Sequence, residues 1–190
     1  MAFQLVRRND VADEPRRTLK GATILCDTSG SMGFTDTWTG RRRIDHLAEV
    51  LAYVLGRTKA QSLLSFNDHV REHKLVSAIS LEEPRGGTDL ALALDHLAEM
   101  PAPTSLHILT DGSPNEPTLA LEAMDRLQAK WGPVPMHAYY CGDDANDKPK
   151  AFLEQLMRRS GPGSSWGSHS LSQPKRLGAE MVLRIAGPRS

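Results

Sequence analysis

The sequence predicts one α/β domain, built as a three-layer fold with a mainly parallel central sheet and helices on both faces. Two observations lead to this prediction: short apolar runs bounded by turn residues alternate with longer segments whose apolar residues recur at helical spacing. Strands that alternate with helices are joined by right-handed crossovers, which place helices on both faces of the sheet. The 190 residues, 39% of them hydrophobic, suit a single domain with a substantial core.

The strand predictions rest on apolar runs of four to eight residues. The run "ATILC" is the clearest, because it is continuous, apolar and followed at once by polar turn residues. Asn67 and Asp68 predict a turn from the second strand into a short third one. The predicted strands cover residues 22–26, 62–66, a short segment near 70 or 75–76, residues 105–110 and 134–141, and a brief strand within 162–174.

The helix predictions rest on apolar stripes and on residues that start or stop helices. In residues 43–59 the apolar positions fall on one face of a helix. Pro101 ends the second helix, Pro117 suits the first turn of the third, and Gly161 closes the fourth. The predicted helices cover residues 43–59, 90–100, 117–131, 148–160 and 174–185. Residues 1–20 are polar and charged, and we expect them to form an arm before a domain of residues 21–190.

Composition and charge exclude several classes of function. Lys and Arg number 23, as do Asp and Glu, so the net charge of zero argues against a nucleic-acid binder that relies on broad electrostatics. No apolar run is long enough to span a bilayer, and the first residues lack the apolar core of a secretory signal. The two cysteines, Cys26 and Cys141, fit a reduced compartment. We therefore expect a cytoplasmic protein with no membrane partner.

Polar side chains follow two of the predicted strands at the point where each ends. Asp27, Ser29 and Ser31 follow the first strand, Asp111 follows the strand of residues 105–110, and Thr88 precedes a helix. The crevice beyond the carboxyl ends of parallel strands is where such folds bind ligands. We expect the alternate residues of the first group to turn inward along an extended loop. Such residues also occur in ordinary turns, but three such segments at element boundaries favour a shared site.

The residue types in this group predict a hard divalent cation. Carboxylate and hydroxyl oxygens without His or Cys suit Mg²⁺ or Mn²⁺ better than zinc. Two acids and three neutral hydroxyls would leave the cation electrophilic. We therefore expect it to take one more anionic ligand from outside the chain.

The three segments "DTSGSM", "GGTD" and "ILTDG", in this order on an alternating β/α chain, resemble a von Willebrand factor A domain. The resemblance covers residues 21–185 and implies a Rossmann-like fold, a metal-ion-dependent adhesion site at the top of the sheet, and no catalysis. It also implies that an Asp or Glu of a partner protein completes the metal shell. The metal residues that it implies are Asp27, Ser29, Ser31, Thr88 and Asp111.

The compact length and the missing signal resemble intracellular bacterial members of this family, including the tellurium-resistance-associated kind. Such members are often linked to ATPases of the AAA+ class or to signalling enzymes. The chain departs from the simplest family pattern in residues 34–43 and in the arm before Gly21, and both could shape the rim of the site or dock a partner. We expect this rim to include Phe34, Trp38, Ser113, Asn115 and Glu116.

Other interpretations of the same residues remain open. "SGSMG" nearly matches the nucleophile elbow of a serine hydrolase, with Ser31 as nucleophile and Asp111 and His137 as partners. Two features oppose this alternative: no helix follows Ser31 at once, and His137 lies inside a predicted strand. A phosphoryl-transfer enzyme would need a second acid where Ser29 stands.

Three smaller groups have ordinary explanations. His69 and His73 have zinc-like spacing, but they fall in a hairpin and are expected on a solvated edge. Arg41 to Arg43 are expected at a solvated helix start, with contact to an acidic partner as the alternative. The family's strand order places Cys26 and Cys141 two strand spacings apart, about 10 Å, which predicts free thiols.

Overall fold

The computed structural model describes residues 21–36, 39–75, 79–143, 145–171 and 173–186, so the predicted arm of residues 1–20 lies outside the described part. Six strands form one sheet in the order β3-β2-β1-β4-β5-β6. All neighbouring strands are parallel except β2 and β3, which are antiparallel. The strands are β1 (Ala22–Asp27), β2 (Ala60–Phe66), β3 (Val70–His73), β4 (Leu106–Thr110), β5 (Met136–Tyr140) and β6 (Ser165–Ser168).

Five α-helices connect or follow these strands. A short 3-10 helix, Gly30–Gly33, also follows β1 directly. None of the helices in the described ranges is long and apolar enough to cross a bilayer. The helices are α1 (Arg43–Leu55), α2 (Leu90–Ala98), α3 (Pro117–Trp131), α4 (Asp147–Arg159) and α5 (Pro174–Ala186).

The sheet separates two hydrophobic cores, because successive side chains of a strand point to opposite faces. In β1, Leu25 packs with α2, α3 and α4 on one face, whereas Ile24 packs with α1 and α5 on the other. All six residues of β1 are buried, as expected for a central parallel strand. The predicted three-layer α/β architecture is confirmed.

The structure settles the boundaries that the sequence left open. The third strand lies at residues 70–73, the first of the two predicted positions, whereas the second position, residues 75–76, falls partly outside the described residues. Helix α2 ends at Ala98, two residues before the predicted end. The backbone N–H groups of Glu99 and Met100 donate to the carbonyls of His96 and Leu97, three residues earlier, so the last turn is tighter than an α-helical turn. The 3-10 helix after β1 was not predicted.

The strand order also places the two cysteines. Strand β4 lies between β1 and β5, so Cys26 and Cys141 are separated by a whole strand. Both thiols are buried and free, in agreement with the prediction. The same order makes β1 and β4 neighbours, and their carboxyl ends therefore meet at one edge of the sheet.

Candidate metal centre

Asp27, the last residue of β1, is completely buried. Its Oδ1 accepts the backbone N–H of Ser29 at 2.8 Å, and its Oδ2 accepts the Thr110 hydroxyl at 2.7 Å. Burial, and secondarily the charge of Asp111, raise the pKa of Asp27 to about 6, against the opposing effect of these hydrogen bonds. A positive charge placed beside this carboxylate would stabilise its ionised form, which burial and the second acid disfavour.

The two serines are brought together by the 3-10 helix. Ser29 has an extended backbone (φ −63°, ψ 168°), and the chain then turns tightly through Gly30–Gly33. The Oγ atoms of Ser29 and Ser31 consequently lie 3.2 Å apart. The expected extended loop is thus wrong in shape: the tight turn, not alternation along a strand-like segment, makes the hydroxyls converge.

Asp111, which directly follows β4, closes the cluster on the other side. Its Oδ1 accepts the Ser31 hydroxyl at 2.7 Å. Its Oδ2 accepts Nη1 of Arg43, the first residue of α1, at 2.6 Å. Asp27, Ser29, Ser31 and Asp111 are therefore joined in one continuous hydrogen-bonded group, which we call the oxygen cluster.

Arg43 corrects one prediction from the sequence. Arg41 and Arg42 are solvated and pair with surface acids. The Arg43 side chain is only 22% exposed, however, and pairs with a carboxylate that has no exposure at all. The difference arises because α1 begins at Arg43, so this side chain turns towards the carboxyl end of β4 while its two predecessors stay in the preceding loop.

Thr88 is attached to the oxygen cluster through its segment. The N–H of Gly30 donates to the carbonyl of Gly86 at 3.1 Å, which holds the two loops together. Gly86 has a positive φ of 66°, a conformation that favours glycine, and the turn here leaves Thr88 mostly buried. Among the described residues, no hydrogen bond joins the Thr88 hydroxyl to the other four predicted ligands.

The predicted rim residues have different environments. Phe34 is 63% exposed, and its ring centroid lies 5.9 Å from Cζ of Arg43. Asn115 accepts the N–H of Thr88 on its side chain and donates its own N–H to the Thr88 carbonyl, both at 3.0 Å. Ser113 is half-buried and Glu116 is exposed just before α3. Trp38 lies outside the described residues.

The donor set of the oxygen cluster fits a hard divalent cation. Every side-chain group in it is a carboxylate or a hydroxyl, and these are the ligands that Mg²⁺ and Mn²⁺ take. Within the described ranges, no group of three or more His, Cys, Asp or Glu side chains could hold a metal. The oxygen cluster differs from such groups because it combines two carboxylates with serine hydroxyls.

Two members of this environment were missed from the sequence. The sequence pattern places Arg43 at a solvated helix start, and no local pattern reveals its partner 68 positions away. Thr110 had a usable signal, since it directly precedes Asp111 at the end of an apolar strand and so reaches the same edge of the sheet.

The alternatives have little geometric support. The Ser31 hydroxyl contacts Ser29 and Asp111, whereas Nδ1 of His137, near the start of β5, lies 3.0 Å from the Ser165 hydroxyl. The structure does not bring His137 to Ser31. His69 and His73 likewise have separate partners, Glu82 and Ser65.

No protein-family model and no curated protein matches the sequence. Several solved structures do match, at low identity. An aerotolerance-related membrane protein from Bacteroides fragilis has a TM-score of 0.60 at 12% identity, over 84% of this chain and 94% of its own. Manganese-loaded TRAP protein from Plasmodium vivax has a TM-score of 0.57 at 16% identity, over 87% of this chain and 74% of its own. The PilB minor pilin from Streptococcus sanguinis has a TM-score of 0.56 at 13% identity, over 89% of this chain and 64% of its own. These likenesses show the fold, that of von Willebrand factor A domains.

Proposed function

We propose that this domain is a divalent-metal-dependent protein-interaction module. Mg²⁺ or Mn²⁺ would be held by Asp27, Ser29, Ser31 and Asp111, with the Thr88 hydroxyl as a further ligand. An Asp or Glu of a partner protein would complete the shell. The observation that carries this proposal is the convergence of two buried carboxylates and two hydroxyls beyond the ends of β1 and β4.

The residues divide the work by charge. Asp27 and Asp111 supply the negative charge that attracts the cation, and the hydroxyls supply neutral oxygens. When bound, the ion would act as an electrophile for a carboxylate, because most of the oxygens offered to it by the cluster and Thr88 are neutral hydroxyls. Fixed hydrogen bonds from Ser29 and Thr110 already orient the Asp27 carboxylate, so its geometry need not be organised by the ion.

The partner and setting are part of the same proposal. The manganese-loaded TRAP structure supports a divalent ion on this fold, although at 16% identity it is evidence about that protein. The resemblance to bacterial family members favours an AAA+ ATPase or a signalling enzyme as partner. Two free cysteines and a net charge of zero favour a cytoplasmic protein that binds neither nucleic acid nor membrane. We propose no catalytic role, because Ser31 is paired with Asp111 and not with an imidazole.

Calorimetric titration with Mn²⁺ tests the metal site. Wild type should bind one ion, and Asp27→Asn, which keeps the shape of the side chain but removes its charge, should weaken binding at least tenfold. Asp95→Asn is the matched control, because Asp95 is an exposed acid on α2 paired with Arg126. The proposal fails if wild type shows no binding, or if Asp27→Asn binds Mn²⁺ as tightly as Asp95→Asn does.

A further inference from the structure

The oxygen cluster already holds a positive charge of its own, and this charge comes from Arg43. We infer that Arg43 is a resident counter-cation, which neutralises Asp111 when the metal is absent and competes with the metal for that carboxylate. The inference rests on the proposed metal site and concerns how strongly that site holds its ion. Arg43, which is not one of the predicted metal ligands, would then control how tightly this domain binds its metal.

The geometry of the pair shows that Arg43 belongs to the site. Nη1 of Arg43 lies 2.6 Å from Oδ2 of Asp111, and the carboxylate has no solvent exposure. Because the Ser31 hydroxyl occupies Oδ1, both oxygens of Asp111 have a donor without any metal. A buried ion pair of this kind is costly to break from one side, since the remaining charge is left uncompensated.

The position of Arg43 is held by its surroundings. Its backbone N–H donates to the carbonyl of Phe34 at 3.0 Å, which ties the start of α1 to the end of the loop that carries the serines. The Phe34 ring lies 5.9 Å from the guanidinium carbon and covers part of it. The guanidinium is therefore placed at the cluster by backbone and ring contacts and by its charge together.

Competition follows from electrostatics. Two cations near one carboxylate repel each other, so each lowers the affinity of the cluster for the other. This coupling is reciprocal: the factor by which the Arg43–Asp111 pair weakens metal binding is also the factor by which bound metal weakens that pair. Without Arg43, two neighbouring carboxylates would repel each other in the metal-free state and would bind a divalent ion more strongly.

The same charge balance affects the partner. Two carboxylates, one guanidinium and a divalent ion leave one positive charge in excess, which a single incoming carboxylate would neutralise. Arg43 therefore makes metal and carboxylate binding depend on each other. The ion is held weakly by the domain alone and more strongly when an acidic side chain joins it.

The experiment compares Arg43→Gln with Arg42→Gln. Arg42 is the neighbouring arginine, its side chain is 41% exposed, and it pairs with Asp45 and Glu83 outside the cluster. For each protein, the Mn²⁺ dissociation constant is measured by calorimetry, and the melting temperature is measured in EDTA and in saturating Mn²⁺. Arg43→Gln should bind Mn²⁺ at least tenfold more tightly than wild type. It should melt at a lower temperature than wild type in EDTA, and Mn²⁺ should narrow that difference. Arg42→Gln should bind Mn²⁺ as wild type does.

The possible results separate the two claims. If Arg43→Gln binds Mn²⁺ no more tightly than wild type while Asp27→Asn abolishes binding, the metal site stands and the competition is wrong. If neither wild type nor Arg43→Gln binds Mn²⁺, the metal site itself is wrong and the role of Arg43 falls with it. Recovery of an EDTA-unfolded Arg43→Gln by Mn²⁺ supports the inference. Should that variant fold in neither condition, Arg43→Met decides. It keeps most of the apolar stem but removes the charge, so it should bind Mn²⁺ more tightly than wild type, and equal or weaker binding would overturn the inference.

Discussion

The hydroxyl of Thr110 donates a 2.7 Å hydrogen bond to Oδ2 of Asp27, from the end of β4 to the end of β1. Both residues are buried, so water cannot replace this bond if it is lost. The contact joins two neighbouring strands at the edge where the oxygen cluster forms. It also leaves Asp27 oriented before any cation binds.

Replacing Thr110 by valine should therefore destabilise the domain. Thr110→Val keeps the shape of the side chain but leaves a buried carboxylate oxygen without its donor, which should cost about 1–3 kcal/mol in the free energy of unfolding. Urea unfolding in EDTA measures this change. Thr110→Ser, which keeps the hydroxyl, is the control. Equal stability of Thr110→Val and wild type would show that the hydrogen bond contributes nothing.

Removing the Thr88 hydroxyl should affect binding more than folding. Thr88→Ala deletes one candidate ligand at a loop–helix junction, and we expect a stability loss of about 1 kcal/mol in EDTA. Mn²⁺ binding should weaken about tenfold, and loss of a metal-bridged carboxylate should cost partner binding about 2 kcal/mol or more. Thr88→Ser should behave as wild type in both titrations. A folded Thr88→Ala protein with wild-type affinities would remove Thr88 from the ligand set.

Some features of the oxygen cluster could be predicted from the sequence, and others could not. The proximity of these acids and serines could be predicted because Asp27 ends β1, the serines follow it and Asp111 follows β4, and parallel strands bring such ends together. The approach of their hydroxyls could not be predicted in detail, since it depends on the tight turn at Gly30–Gly33. The pairing of Arg43 with Asp111 could not be predicted either, because it depends on where α1 starts relative to β4.

The fold was easier to predict from the sequence than the side-chain contacts were. The buried strands and amphipathic helices have periodic patterns, and these patterns remain visible whatever the tertiary contacts. Boundaries were less accessible, as the end of α2 shows, because a tightened last turn has no clear signature in residues 97–100. Asn115 illustrates the remaining gap: its bond to the Thr88 backbone is visible only when the two loops are placed side by side.

Stability should fall in mild acid because of His107. This imidazole is fully buried on β4, with the Ser105 and Tyr139 hydroxyls as neighbours, and burial lowers its pKa to about 3. The charges of His137 and Arg184 act in the same direction. Between pH 6.5 and 3 the unfolded chain takes up a proton that the folded protein excludes. The free energy of unfolding should therefore decrease by about 1.4 kcal/mol per pH unit for this group as pH falls.

Urea unfolding at pH 7, 6 and 5 measures this dependence. In His107→Gln the free energy of unfolding should decrease less with falling pH than it does in wild type. Part of the decrease should remain, because burial also lowers the pKa values of His137 and His169. Identical pH dependence in His107→Gln and wild type would contradict the assignment to His107.

Both thiols should be free and slow to react in the folded protein. Cys26 and Cys141 are buried, and burial raises the pKa of each thiol, which disfavours the reactive thiolate. Thiol counting on denatured, unreduced protein should find two thiols per chain, and the native protein should react only slowly. A count of zero would contradict both the strand order and the expectation of a reduced compartment.

The most direct test of the account is the location of Mn²⁺ by anomalous diffraction from crystals grown with an excess of the ion. The proposed metal site predicts a peak at direct coordination distance, about 2.1 Å, from the hydroxyl oxygens of Ser29 and Ser31, beside the carboxylates of Asp27 and Asp111. It also predicts at least one coordination position filled by an oxygen from outside the chain. A map with no anomalous peak in the oxygen cluster, while Arg43 remains paired with Asp111, would contradict the proposed metal-dependent function.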